Sequence, residues 1–245
     1  MNHQTTPNAI PETGNRKPKT IPKPLAVVLA SGGLDSCVAA AVARQTHELA
    51  LFHANYGQRT VVRELQAFRA QAAFFQAVHT LEADLSFLGR LGGSALTDSK
   101  VSVPTAAAEG PGIPITYVPF RNSLMLAGAV AWAEVLGAKA IFIGANVLDN
   151  PGYPDCRPEY FAAFNRVIEL GTRPGAGIRI HTPLIALDKA GIIRLGLELG
   201  APLNLTWSCY VSDSLACGRC SSCRLRLQGF AGAGIADPIP YQGLT

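Results

Sequence analysis

Two groups of residues in this 245-residue chain have the types and spacing to do chemistry. The first is Ser31-Gly32-Gly33-Leu34-Asp35-Ser36, directly behind the apolar run Leu25–Ala30. A strand, a glycine turn and then a helix form a phosphate cradle. The glycines let the main chain approach an anion closely, and free N–H groups of the new helix point at it. Ser31 or Asp35 can satisfy orphan N–H groups in that first turn. The string lacks the lysine and long glycine span of G-x-x-x-x-G-K-[ST], and it does not follow G-x-G-x-x-G. The second group is Cys209, Cys217, Cys220 and Cys223, spaced C-x7-C-x2-C-x2-C. Four thiolates so close suit tetrahedral zinc, with iron–sulfur ligation as the rival. Four sulfur ligands leave no open position, so either metal would be structural.

The elements that must position these groups follow a β-α rhythm. Strands are predicted over Ala26–Ala30, Leu49–His53, Val78–Ala83 and Ala140–Gly144. Leu34, Val38 and Val42 mark one face of the helix after the cradle, and Leu65, Phe68, Ala72 and Phe75 mark a second. An apolar helix is predicted from Asn122 to a C-cap at Gly137, another over 159–170, and one capped by Asp188 running toward Gly200. Gly92 to Pro114, crowded with Pro, Gly and Ala, reads as a long surface loop. The fold class expected is α/β, a doubly wound parallel sheet, with ligands at the carboxyl ends of its strands. The boundaries expected are a tail over 1–24, a nucleotide-binding domain over 25–200 and a four-cysteine segment over 201–245.

Composition narrows the class. Hydrophobic residues make up 48% and charged residues only 16%, as in a compact, well-buried enzyme. The longest strongly apolar stretch, Leu124–Ala133, is far short of the roughly 20 residues of a membrane span. Met1–Pro24 is rich in Pro, Thr and Asn, has no signal-peptide pattern and reads as a disordered basic tail. It carries a net +3 of the chain's +4, so the remainder is near neutral, which disfavours a broad nucleic-acid groove. Clustered cysteines without a secretion signal point to a reducing cytoplasm.

Further strings sharpen the reading: Tyr56-Gly-Gln-Arg59, Val118-Pro-Phe-Arg-Asn122, Gly152-Tyr-Pro-Asp-Cys-Arg157, and Thr182-Pro-Leu184 ahead of Lys189. With Ser31–Ser36 and the four cysteines, the chain resembles the 7-cyano-7-deazaguanine synthases, within the PP-loop ATP pyrophosphatase superfamily, over residues 25 to 230. One departure is Phe120, where the family string has glycine; from sequence it either reshapes the pocket or packs.

The resemblance implies an adenine nucleotide alpha-hydrolase-like fold and a ligase that makes the nitrile from 7-carboxy-7-deazaguanine, ammonia and ATP. It implies Mg²⁺ and structural Zn²⁺, with a homodimer and no stable nucleic-acid or membrane partner. Ala30, Ser31, Gly32, Gly33, Leu34, Asp35, Ser36, Cys37, Val38, Ala39 and Ala40 would form the ATP segment. Asp35, through Mg²⁺, with Arg121 and Lys189 would serve catalysis, although either cation could instead make a surface ion pair. Arg59, Tyr153, Asp155 and Arg157 would hold the deazaguanine, although the Gly152–Arg157 string equally suits a rigid turn and Arg59 a helix cap. The alternative function is another PP-loop enzyme, such as a tRNA thiolase or lysidine synthetase. A non-enzymatic zinc-ribbon module would leave the cradle unexplained.

Overall fold

The computed structural model describes residues 22–104, 112–148 and 152–243. The tail over 1–21, part of the 92–114 loop and Pro151 lie outside the described residues. Five parallel strands form one sheet in the order β3-β2-β1-β4-β5. They are β1 (Leu25–Leu29), β2 (Glu48–Asn55), β3 (His79–Asp84), β4 (Ala140–Ile143) and β5 (Arg179–His181). The register fixes β1 between β2 and β4, with Val28 opposite both Leu51 and Phe142. Sequence order reverses at this pair of strands, so a crevice opens at their carboxyl ends.

Alternation in β1 explains the double winding. Val27 and Leu29 face a core built with Leu126, Ala129 and Ala133 of α4 (Arg121–Leu136) and Phe161 and Ile168 of α5 (Pro158–Gly171). Ala26 and Val28 face the opposite core, with Cys37, Ala40 and Ala41 of α1 (Leu34–Arg44) and Phe68 and Phe75 of α2 (Val61–Phe75). Side chains of a strand alternate faces, so a strand apolar at every position must be covered on both. The predicted caps are present: Asp188 accepts from the Gly191 N–H at 2.7 Å, and Gly137 ends α4 with φ +71°.

Three elements were not predicted: β5, the short α3 (Phe87–Leu91) and α7 (Ser221–Gly232). The last of these matters for the site. It packs with α6 (Lys189–Glu198) against α1, where Leu34 and Val38 meet Ile192, Ile193 and Phe230. Close approach is built in: a Cβ on Gly229 would lie 2.3 Å from Lys189 Cγ, and one on Gly196 would lie 2.8 Å from Val38 Cγ2.

Phe120 precedes α4 in the left-handed region, at φ 58° and ψ 20°. It is 63% exposed and does not line the cavity described below, so it neither reshapes the pocket nor packs. Glycine would occupy this backbone without the ~1–2 kcal/mol penalty of a Cβ, less the ~0.5–1 kcal/mol entropy that glycine adds to the unfolded chain. Phe120→Gly is therefore expected to raise the melting temperature by roughly 2–3 °C. A fall in the melting temperature would show that the ring makes a stabilising contact.

Candidate active site

The loop after β1 opens into a cavity of ≈ 260 Å³ at the carboxyl ends of β1, β2 and β4. Ala30, Ser31, Gly33, Leu34, Asp35 and Ser36 line it, together with Lys189, Arg121 and Tyr153. Gly32 holds φ +85°, and a Cβ there would meet the Glu64 carbonyl at 2.5 Å, so only glycine fits against α2. The Gly32 carbonyl accepts from the Trp207 N–H at 2.9 Å and from Gln71 Nε2 at 2.9 Å, which pins the loop from behind. Ser31 Oγ accepts from the Gly33 N–H at 3.1 Å and lies 3.1 Å from Ser36 Oγ. Ser31 thus stiffens the turn and does not cap the helix. No side chain caps the N-terminus of α1, which faces the cavity with its positive dipole end.

Gly144, at the end of β4, lets the sheet close on this loop: a Cβ there would lie 2.6 Å from the Asp35 carbonyl carbon. The segment Cys37–Ala40 turns away into the core, each residue 0–1% exposed, and does not line the cavity. Burial pushes the Cys37 thiol up to about 12, as expected of a packed residue and not a nucleophile.

Asp35 accepts from Lys189 Nζ on both oxygens at 2.7 Å, and from Asn146 Nδ2 at 3.2 Å. Lys189 is not a surface ion-pair partner: its side chain is 10% exposed, under α7. Arg121 is the first residue of α4, where its charge opposes the helix dipole. Its guanidinium lies 5.1 Å from the Tyr56 ring centroid and donates to Tyr56 Oη at 3.3 Å. Lys189, Arg121 and the N-terminus of α1 therefore converge on one cavity, with Arg226 also on its wall, an arrangement that favours anions.

The residues predicted to hold a substrate ring disperse. Tyr153 lines the cavity and is 2.8 Å from Thr116 Oγ1 through its hydroxyl. Asp155 does not line it; its Oδ2 accepts from the Asn122 N–H at 3.2 Å, in the first turn of α4. Its Oδ1 is buried and, among the described residues, has no hydrogen-bond partner; burial pushes the carboxyl above its ordinary value against the pull of the Asn122 N–H. Arg59 donates to the Asp98 and Val101 carbonyls at 2.6 and 2.5 Å, so it holds the 98–101 turn. Arg157 donates to the Pro154 carbonyl at 3.1 Å. Neither arginine lines the cavity.

Sequence reasoning missed Glu64, Trp207, Tyr210 and Arg226, all of which line it. Glu64 accepts from Thr60 Oγ1 at 2.8 Å and from Gln58 Nε2 at 3.0 Å. A carboxylate in the first turn of α2, just behind Tyr56-Gly-Gln-Arg59, was the available signal. Arg226 is buried and bidentate on Asp237 at 2.7 and 2.9 Å, with Thr206 Oγ1 accepting its Nη1 at 2.7 Å. That web ties α7 to the segment carrying Trp207.

The four cysteines are all buried, and their Sγ atoms lie within 4.8 Å of one another. Zn–S bonds of about 2.3 Å in a tetrahedron place sulfurs about 3.8 Å apart; Cys217 and Cys223 are separated by 3.9 Å. Cys209 Sγ accepts from the N–H groups of Val211, Ser212 and Cys217, each at 3.4 Å. Backbone donors aimed at sulfur stabilise thiolates, so the donor set fits a single metal ion. The group touches the cavity and α2 through the cluster shared by Ala67, Trp207, Cys209 and Cys223.

Comparison with known proteins agrees with this geometry. The 7-cyano-7-deazaguanine synthase of Chlorobium luteolum is 56% identical over 218 residues, covering 89% of this chain and 96% of that protein. The enzyme of the same name from Chlorobium chlorochromatii is 53% identical over 218 residues, with the same coverage. That of Acidobacterium capsulatum is 55% identical over 220 residues, covering 88% and 96%. The family model described as queuosine biosynthesis protein QueC matches residues 25–234, from the first residue of β1 to just past α7, so the chain belongs to the QueC family.

Proposed function

We propose that this chain is a C–N bond-forming ligase that converts 7-carboxy-7-deazaguanine, ammonia and ATP into 7-cyano-7-deazaguanine for queuosine-type biosynthesis. The observation that carries the reading is the convergence of the uncapped α1 N-terminus, the Asp35–Lys189 pair and Arg121 on one cavity. A carboxylate is a poor electrophile, because its charge repels nucleophiles and oxide is a poor leaving group. Transfer of AMP to it creates a mixed anhydride. Ammonia then yields an amide, and a second activation at the amide oxygen permits elimination to the nitrile.

In this scheme the loop N–H groups hold the phosphates. Asp35 would offer oxygen ligands to Mg²⁺, and Lys189, which now lies on that carboxylate, would offer its charge to the phosphates. Mg²⁺ supplies charge neutralisation on the phosphates. Arg121, fixed by Tyr56, neutralises the substrate carboxylate or the transferred phosphoryl group, a task for preorganised cations. Tyr153 offers a ring to the deazaguanine, while Asp155 and Arg157 set the wall behind it. Arg59 acts at one remove, by holding the 98–101 turn. The metal on Cys209, Cys217, Cys220 and Cys223 is zinc, and it fastens the 201–245 segment onto a nucleotide-binding part over 25–200. We read the protein as a cytoplasmic homodimer without a stable nucleic-acid partner. Among the described residues, no helix is long and apolar enough to cross a membrane.

Mass spectrometry of 7-carboxy-7-deazaguanine incubated with the protein, Mg²⁺-ATP and ammonium tests the assignment. The expected product is the nitrile, with AMP and pyrophosphate. Folded protein that leaves both substrates intact would overturn it.

A further inference from the structure

The cavity holds an acidic residue that the scheme above leaves without a task. Asp35 is engaged by Lys189, and Asp155 does not line the cavity, but Glu64 does. Its oxygens each accept one hydrogen bond, from Thr60 and from Gln58, and both donors are neutral. A carboxylate oxygen can accept more than one donor, so capacity remains on both. Among the described residues none forms an ion pair with Glu64. Arg121 and Asp213 act on it only at longer range and with opposite signs. The residue is half-buried; a partly desolvated carboxylate with only neutral donors is costly, and a small cation beside it would offset part of that cost.

The surroundings suit such a cation. Tyr56, Trp207 and Tyr210 line the same cavity and present ring systems whose faces attract ammonium-type charges. Arg63 already lies over the Trp207 ring at 4.5 Å and Arg121 over the Tyr56 ring at 5.1 Å, whereas among the described residues no cation lies over the Tyr210 ring or pairs with the Glu64 carboxylate. Glu64 also belongs to the turn of α2 that abuts the phosphate loop, through its carbonyl against Gly32. A group bound there sits beside the place where a carboxylate would be activated.

We propose that Glu64 binds the ammonium ion that supplies the nitrile nitrogen and takes one proton from it, so that ammonia is formed beside the activated carboxylate. The inference rests on the reaction proposed above. Ammonium gives a proton to the Glu64 carboxylate, leaving neutral ammonia and a carboxylic acid. The nitrogen lone pair forms a C–N bond at the acyl carbon, the C–O bond to AMP breaks, and AMP leaves with that electron pair. The surplus proton on nitrogen goes to the departing phosphate oxygen, and Glu64 returns its own proton to water. Burial pushes the Glu64 carboxyl above its ordinary value, which brings it nearer to the basicity this transfer needs.

Hydroxylamine tests the step, because it is largely neutral at neutral pH and attacks without first losing a proton. Three rates are measured on the full chain with 7-carboxy-7-deazaguanine and Mg²⁺-ATP: pyrophosphate–ATP exchange without a nucleophile, turnover with ammonium, and hydroxamate formation with hydroxylamine. For Glu64→Gln, exchange is expected to stay within about twofold, ammonium kcat/KM to fall by about 10²-fold or more, and hydroxylamine turnover to fall by less than about tenfold. Equal losses with both nucleophiles would overturn the proposal, and so would loss of exchange alone, which assigns Glu64 to nucleotide or base binding. If that variant does not fold, Glu64→Asp keeps a carboxylate but withdraws it; an unchanged ammonium-to-hydroxylamine ratio then overturns the proposal. Wild-type protein without exchange refutes the reaction itself, a result distinct from any change in that ratio.

Discussion

Asp35→Ala is expected to lower turnover by about 10²–10³-fold or more while leaving metal content unchanged. The carboxylate holds Lys189 Nζ with both oxygens and also accepts from Asn146. Removing it deprives a largely buried lysine of this anion and takes away the oxygen ligand proposed for Mg²⁺. The first turn of α1 should survive, because no side chain caps it. Asp35→Asn is the sharper control, since it keeps the shape and removes only the charge. Turnover followed by AMP release, with metal content by atomic emission, checks both halves of the expectation. Loss of metal from a folded Asp35→Ala protein would show that the two sites form one cooperative unit.

Cys220→Ser carries the largest expected effect on stability. Cys220 is the residue just before α7, and Cys223 lies in the first turn of that helix. Loss of one thiolate leaves three ligands, and a structural metal contributes folding free energy outright. A loss of roughly 4–5 kcal/mol would lower the melting temperature by about 10–20 °C, with metal content falling well below that of the wild type. Activity should fall too, because α7 supplies Gly229, the surface on which Lys189 lies. Metal loss without a change in melting would instead assign the stability of this segment to the Arg226–Asp237 pair and the Phe230 core.

What could be read from the sequence followed from how strongly each element advertises itself. The strand–loop–helix of Leu25–Arg44 was legible because an unbroken apolar run, glycines and helical spacing all agree there. Strands β1, β2 and β4 were legible as apolar runs, β3 only through Leu81 and Ala83 alternating with polar residues, and Gly137 and Asp188 as helix ends. Strand β5 was not, since its three residues include Arg179 and His181 at both ends and give no run to detect. Helix α7 carries two arginines in its first half, and its inward face is held by a buried ion pair and a metal ligand. No apolar stripe marks such a face. In the site, Asp35, Lys189 and Arg121 were found through strings, but Glu64 stands among residues read only for their apolar spacing. Arg59 and Arg157 have the types that suit a ligand, and only coordinates reveal that each donates to nearby carbonyls and lies off the cavity.

The hydrogen bond from the Trp207 N–H to the Gly32 carbonyl bears on how the protein matures during synthesis. The phosphate loop lies near the beginning of the chain, yet Trp207, which fastens it, leaves the ribosome much later. Lys189 is 154 residues beyond the carboxylate it grips. A nascent chain can pair β1 with β2, wrap α1 and α2 and set Gln71 on the Gly32 carbonyl long before Trp207 or Lys189 exists. Its loop would then lack the Trp207 and Lys189 contacts, and the cavity would be completed only as the cysteine segment closes over it. A late-made part of the described fold therefore completes the cavity that the first-made part begins.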